Sequence, residues 1–276
     1  MKRAKCTIVI LSLALAGCGG PVAAPTVTPY TVEVRILATT ATYPLLQDLV
    51  AAYTRPGTLL AVNSAVADWE TIHGRLLAGD APYALTTYLP QNVHLWAAQI
   101  GQDGIAIVVH STNMVPSLTA EELRTIFQGR VARWSQVGGP DLPVTVVSRE
   151  PGADTRLAFE ALVMGDRRTT LGARLALSSQ SIVEIVASEP GAVGYVSMAF
   201  LNEQVRSVPI TAEEGAPPVP LTRETVSGDT YPLHTPILVV GPNPPAEDSI
   251  YRDWFGWMQS EAGQAVVGQR YGTLHP

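Results

Sequence analysis

From residue 31 onward, apolar runs of strand length alternate with amphipathic stretches of helix length. This alternation constrains the fold more than any other feature. Residues 31–38 (TVEVRILA) place Val32, Val34 and Ile36 at every second position, the period of a strand. Thr39, Thr40, Ala41 and Thr42 follow. Pro44 then stands where a first helical turn tolerates it, with Leu45, Leu46, Leu49, Val50 and Tyr53 on one face. Arg55-Pro56-Gly57 ends that helix. A strand at 59–62 and a helix at 69–77 complete a β-α-β-α opening. Such an order predicts an α/β fold, with a largely parallel sheet covered by helices.

The pattern continues. Residues 105–109 (IAIVV) read as a strand buried on both faces. A helix over 120–127 opens with Thr119 and Glu122 at capping-box spacing. A strand at 144–147 runs into the loop Ser148 to Arg156. A helix through Leu157, Phe159 and Val163 follows, ended by Gly165. Further on come a helix at 182–187, a strand at 191–196 and a proline-rich loop at 211–220. A strand at 237–240 and two closing helices, near 250–259 and from Ala262, complete the chain. No internal repeat is present.

The N-terminus sets the expected compartment. Lys2, Arg3 and Lys5 precede an apolar stretch over 6–16, too short for the roughly 20 residues of a membrane-spanning helix. Leu15-Ala16-Gly17-Cys18 resembles a bacterial lipobox. Residues 1–17 are therefore expected to be a lipoprotein signal peptide and Cys18 a lipidation site. Residues 18–30 (Pro, Gly and Thr-rich) are expected to be a lipid-anchored tether. The protein is expected to work outside the cytoplasm, held at the cell membrane.

Composition removes several function classes. The formal net charge is −6, and loss of the signal's three cations leaves the mature chain near −9. That argues against nucleic acid as a partner. The mature body has no cysteine beyond Cys18, hence no disulfide, thiolate nucleophile or thiolate metal site. His73, His94, His110, His234 and His275 are scattered, so neither a metal nor a cofactor is expected. A Gly-x-Ser-x-Gly elbow is absent, and no enzymatic activity is expected.

Two segments share one form: a strand end, a loop of small or hydroxyl residues, then a helix start. They are Thr39 to Thr42 and Arg149 to Arg156. Helix N-termini present unpaired amides and partial positive charge, and arginine offers a planar fork suited to oxyanions. The hydroxyls serve equally well as plain helix caps, and the spacing alone leaves both readings open.

A longer set of segments resembles the phosphate-binding proteins that feed ABC importers. It runs from Asp103 to His110, then Asn113 and Val115. Leu118 to Leu123, Ile126 to Gly129, Trp134 and the Arg149 to Arg156 loop follow. Pro190 to Ser197, Ser227 to Leu233 and Ser260 to Gln264 continue it, and Thr39 to Leu45 resembles the family's first phosphate loop. The resemblance implies a two-lobed type II periplasmic binding protein, each lobe Rossmann-like with a parallel or mixed sheet. Lobe 1 would comprise 31–107 plus 210–276, and lobe 2 108–209, with crossovers near 105–110 and 208–236.

The resemblance also implies the binding residues: Thr39, Thr40, Arg149, Gly152, Thr155 and Arg156, with Asp154 among them. Asp154 stands where the family has glycine, and Ala153 where it has serine. Asp154 is expected to N-cap the following helix. The acid that the family uses to accept a phosphate proton aligns here with Pro82, with Asp80 two residues away; Ser64 and Asp68 are nearest to a second family loop. The implied function is capture of phosphate or a similar oxyanion for an ABC permease by a monomeric, lipid-anchored receptor. The alternative is a divergent sensor or adaptor of the same fold with another ligand or none.

Overall fold

Alternating apolar side chains from the first strand meet a second strand and a helix in the observed architecture, as the sequence pattern requires. The structure, a computed structural model, describes residues 30–213 and 215–274. The signal segment, Cys18 and nearly all of the tether lie outside the described residues. Tyr30, the last residue of the expected tether, already begins β1.

The elements in chain order are β1 (Tyr30–Ala38), α1 (Tyr43–Ala52), β2 (Thr58–Val66), α2 (Trp69–Leu77), β3 (Tyr83–Thr86) and β4 (Trp96–His110). Then come β5 (Leu118–Thr119), α3 (Ala120–Phe127), β6 (Thr145–Arg149), α4 (Asp154–Phe159), β7 (Arg174–Ala176), α5 (Ser179–Ser188) and β8 (Ala192–Ser197). The chain closes with β9 (Val205–Ser207), β10 (Ile210–Thr211), α6 (Arg223–Ser227), β11 (His234–Gly241), α7 (Ile250–Gln259) and α8 (Glu261–Val267).

The main sheet runs β2-β1-β3-β11-β4-β8-β6-β7, with β9 added on β4. It is parallel in its two outer parts, where β1 pairs β2 and β3, and β6 pairs β7 and β8. The middle is antiparallel, because β4 runs against both β11 and β8. The sheet is thus mixed rather than largely parallel. β4 supplies the reason. Its first part, to Gly104, pairs β11, and its second part, from Ile105, pairs β8. One strand therefore belongs to both halves of the molecule, and the change of partner falls between Gly104 and Ile105.

Local signals account for the element ends. Thr119 accepts from the Glu122 amide while Glu122 bonds back to the Thr119 amide, the expected capping box. Leu45, Leu46 and Leu49 of α1 are buried against the first half of the sheet. α4 continues into a π turn over Glu160–Met164, and Gly165 ends it with φ 59°. In the second half Phe127, Phe159 and Tyr195 cluster, with the Phe159 and Tyr195 rings stacked nearly parallel at 4.2 Å. Trp134 is fully buried and donates to the Gly191 carbonyl at 2.9 Å.

β3 and the first part of β4 were not among the sequence-read strands. Tyr83–Thr86 is only four residues long, and 96–104 carries Gln99, Gln102 and Asp103 that interrupt an apolar run. Among the described residues no helix is long and apolar enough to cross a membrane.

Candidate functional site

The carboxyl ends of β1, β3, β6 and β7 converge where the two halves of the sheet meet. Open α/β sheets present ligand-binding loops at these ends. The first half contributes Thr39, Thr40 and Thr87. The second contributes Arg149, the loop 150–153, Asp154, Thr155 and Ser179 at the start of α5.

Arg149 is the last residue of β6 and is fully buried. Its guanidinium makes four hydrogen bonds. Nε and Nη2 donate to the two carboxylate oxygens of Glu150 at 2.9 and 2.8 Å. Nη1 donates to Ser179 Oγ at 3.1 Å, and Nη2 reaches Thr40 Oγ1 at 3.4 Å from the other half. Burial opposes ionisation of Glu150, but the Arg149 bonds, its own amide and the Arg149 and Arg156 charges outweigh it. They hold the carboxyl below the usual range.

The loop after Arg149 crosses onto α2. Gly152 has φ 87°, a left-handed conformation that favours glycine. Its carbonyl accepts from the Trp69 amide at 3.3 Å. Asp68, at this contact, caps α2 through the Thr71 amide. Ser64 lies within β2.

Asp154 does not cap α4. Ala153 holds the extended cap position (φ −62°, ψ 127°), and Asp154 is the first helical residue. Its side chain turns across the junction instead. Oδ2 accepts from Thr87 Oγ1 at 3.0 Å, while Oδ1 has no hydrogen-bond partner. Burial drives the Asp154 pKa up. The Thr39 and Thr87 hydroxyls, the Thr155 amide and the Arg149 charge oppose that rise without cancelling it. Thr155 Oγ1 is buried and also without a partner.

The remaining sequence candidates sort clearly. Thr39 is buried; its amide is spent on the Leu85 carbonyl and its hydroxyl meets Thr42 Oγ1 at 3.0 Å. Arg156 is not brought into the junction. It donates to the Arg149 carbonyl at 2.8 Å and pairs with Glu160, bracing the loop from behind. There it borders a hollow of about 240 Å³ with Ser148, Pro151, Leu171 and Leu175. Pro82 and Asp80 precede β3, whereas Thr87 follows it, so the expected acid position lies at the wrong end of the strand. At about 3.3 Å rise per residue, the four-residue strand separates the two ends by more than 10 Å. Asp80 is exposed, with its carbonyl taken by Arg35.

Several participants were missed in the sequence. Glu150 was passed over as the neighbour of Arg149. Ser179 had a readable signal, because Ser178-Ser179 repeats the hydroxyl-then-helix form of the two loops. Asp103, on β4 beside the change of partner, accepts from Ser197 Oγ at 2.9 Å and the Met198 amide at 3.2 Å. Burial above all, with the Asp154 charge adding, pushes its pKa up to about 8 against the Ser197, Met198 and Gly104 donors. Tyr271 donates to the Ala41 carbonyl, and burial, then the Asp103 and Asp154 charges, raise its pKa well above the usual phenol value. Among the described residues no group of three or more His, Cys, Asp or Glu could hold a metal ion.

Comparison with known proteins places this geometry in context. A family model described as a PBP superfamily domain matches residues 23–262. The structure is similar to an ABC-type phosphate transport receptor from Vibrio cholerae. The two are 29% identical with a TM-score of 0.71, over 88% of this chain and 100% of that one. PstS from Borrelia burgdorferi shares the fold at 16% identity and TM-score 0.61, over 87% and 98% of the two chains. A curated relative, the phosphate-binding protein PstS of Bacillus subtilis (strain 168), is 30% identical over 105 residues. That stretch is 38% of this chain and about a third, 35%, of the relative.

Proposed function

The chain belongs to the PBP superfamily domain family, and we propose that it is an extracytoplasmic solute-binding protein that captures phosphate or a similar oxyanion for an ABC importer. The observation that carries this reading is the junction itself. A fully buried arginine on one half reaches a threonine hydroxyl on the other, with Ser179 and Thr155 beside it. Such donors converge on an oxyanion by charge-assisted hydrogen bonds, and closure of the halves around it needs no covalent chemistry. The similarity to phosphate receptors of ABC transport supports the choice of phosphate.

In this reading lobe 1 comprises 31–107 with 210–276 and lobe 2 comprises 108–209. The change of β4's partners just before Ile107 supports a boundary within that strand. The protein acts as a monomer anchored by lipid on Cys18 and delivers its ligand to a membrane permease. Cys18→Ser should move it from the detergent phase to the aqueous phase. Unchanged partitioning would remove the anchor.

A second reading, a sensor or adaptor with another ligand, is favoured by one observation: Glu150 already fills the fork of Arg149. Thermal-shift titration with phosphate, sulfate and molybdate separates the two. A saturable rise in Tm with phosphate supports capture, and no shift with any of them supports the second reading.

A further inference from the structure

Resting on the oxyanion reading, we propose that Asp103 is a positioning residue of the strand shared by the two halves, and that a proton on its carboxyl group favours anion capture. It acts through the joint between the halves rather than on the anion itself.

The joint is built around the change of partner in β4. Asp103 lies opposite Thr235 of β11, whereas Ile105, two residues on, lies opposite Ser197, the last residue of β8. The Asp103 side chain crosses this boundary. Its Oδ1 accepts from Ser197 Oγ at 2.9 Å and from the Met198 amide at 3.2 Å. The returning chain holds the other side. There the Ile105 amide donates to the Leu233 carbonyl at 2.7 Å, and the Tyr231 hydroxyl donates to the Ile105 carbonyl at 2.9 Å. Gly104 adds no slack, because a Cβ there would collide with Leu221. Rotation of one half against the other about β4 therefore works against the two bonds that Asp103 accepts.

The same carboxyl group is coupled to the anion site. Tyr271 lies beside Ser197 and donates to the Ala41 carbonyl, in the loop after β1, at 2.6 Å. The charge of Asp154, which bonds across the two halves, acts on Asp103. An oxyanion held at Arg149 and Thr155 adds negative charge beside Asp154, and like charges in a medium of low dielectric repel.

The groups facing Asp103 are the Ser197 hydroxyl and the Met198 amide from the end of β8, the Gly104 amide of its own strand, Asp154 from α4 and Tyr271 after α8. Thr235 stands opposite it on β11, and its hydroxyl has no hydrogen-bond partner. His234, the preceding residue of β11, turns its ring nitrogens to the Tyr231 carbonyl and to Asp229. Among the described residues no cation faces Asp103. Burial therefore dominates, with the Asp154 charge adding, and the Asp103 pKa stands at about 8.

Linkage fixes the sign. Ionised Asp103 and the bound anion oppose one another, so anion binding raises the Asp103 pKa further and is tighter while the proton is in place. Affinity is full below the pKa of the empty protein. It falls as pH rises from that value to the higher pKa of the occupied one.

The test is calorimetric titration of inorganic phosphate into the full protein as wild type, Asp103→Asn and Ser197→Ala. Runs from mildly acidic to alkaline pH, in two buffers of different ionisation heat, count the protons exchanged. The amide of Asp103→Asn still accepts from Ser197 and Met198 but does not titrate. The ratio of wild-type to Asp103→Asn affinity at each pH thus cancels the ionisation of phosphate itself. That ratio should fall by about fivefold or more toward alkaline pH, with proton uptake on binding that the variant lacks. Against burial, the Ser197 bond holds the Asp103 pKa down, so Ser197→Ala should move the fall to higher pH. A merely structural role would not produce that shift. A ratio independent of pH with equal proton uptake would overturn the proposal and leave oxyanion capture intact. Should Asp103→Asn not fold, a Ser197→Ala profile that coincides with wild type would overturn it equally. Absence of binding in every folded protein at every pH would instead overturn the oxyanion reading.

Discussion

Thr87 donates to Asp154 at 3.0 Å, and this one bond joins the end of β3 to the start of α4 across the junction of the two sheet halves. It replaces the helix cap expected of Asp154 and keeps a buried carboxyl between the two halves. Thr87→Val should therefore leave Asp154 without its donor and lower stability by roughly 1–3 kcal/mol, the usual cost of a stranded buried acceptor. Urea unfolding of wild type and variant measures this, and the loss should shrink at acidic pH, where Asp154 is protonated.

Asp103 makes stability depend on pH in an unusual direction. Its folded pKa, about 8, lies above the ordinary carboxylate value. Between those two pKa values the folded protein holds a proton that the unfolded chain has lost. Stability is then full at acidic pH and falls as pH rises toward the folded pKa, by up to about 1.4 kcal/mol per pH unit. Denaturation at a series of pH values should show this fall, and Asp103→Asn should flatten it.

Glu150 and Arg149 form a pair in which one member is fully buried. Removing the carboxylate leaves the guanidinium underpaired, a stability loss of about 1–3 kcal/mol given the partial exposure of Glu150. The freed fork is also a better anion site. Glu150→Ala should show a lower Tm without ligand and a larger Tm increase with phosphate than wild type.

Much of the fold was legible because its signals are local. Pro44 and the leucines after it marked α1, and Thr119 with Glu122 marked α3. The apolar run at 105–109 marked the part of β4 buried in the second half. What escaped depends on pairings distant in sequence. The polar first part of β4 is a strand because β11 covers it, and β3 is short and flanked on both sides by other strands. The site shows the same division. Loop chemistry made Thr39, Thr40, Arg149 and Thr155 candidates, and the structure brings Thr40 to the Arg149 guanidinium. Thr87, with Thr86, stood near a serine pair of the resembling family, but its bond to Asp154, like the effect of the Asp154 charge on Asp103, depends on the two halves meeting. Sequence register does not reveal that Arg156 turns to the Arg149 carbonyl and Glu160, nor that Pro82 stands at the opposite end of β3 from Thr87.

Close backbone approach gives a stability test away from the site. A Cβ at Gly191 would stand 2.0 Å from the Pro143 carbonyl oxygen, beside the turn that Trp134 anchors. Gly191→Ala must displace backbone and should cost more than about 2 kcal/mol, measured by chemical denaturation.

The central claim is that buried Arg149 and the hydroxyls around it hold an oxyanion between the two halves. Calorimetric titration of phosphate into purified wild type and Arg149→Ala at neutral pH tests it most directly, with circular dichroism confirming that the variant is folded. Saturable one-to-one binding in wild type that is lost in the folded variant is the predicted result. No heat with phosphate in wild type, or undiminished affinity in Arg149→Ala, would contradict it.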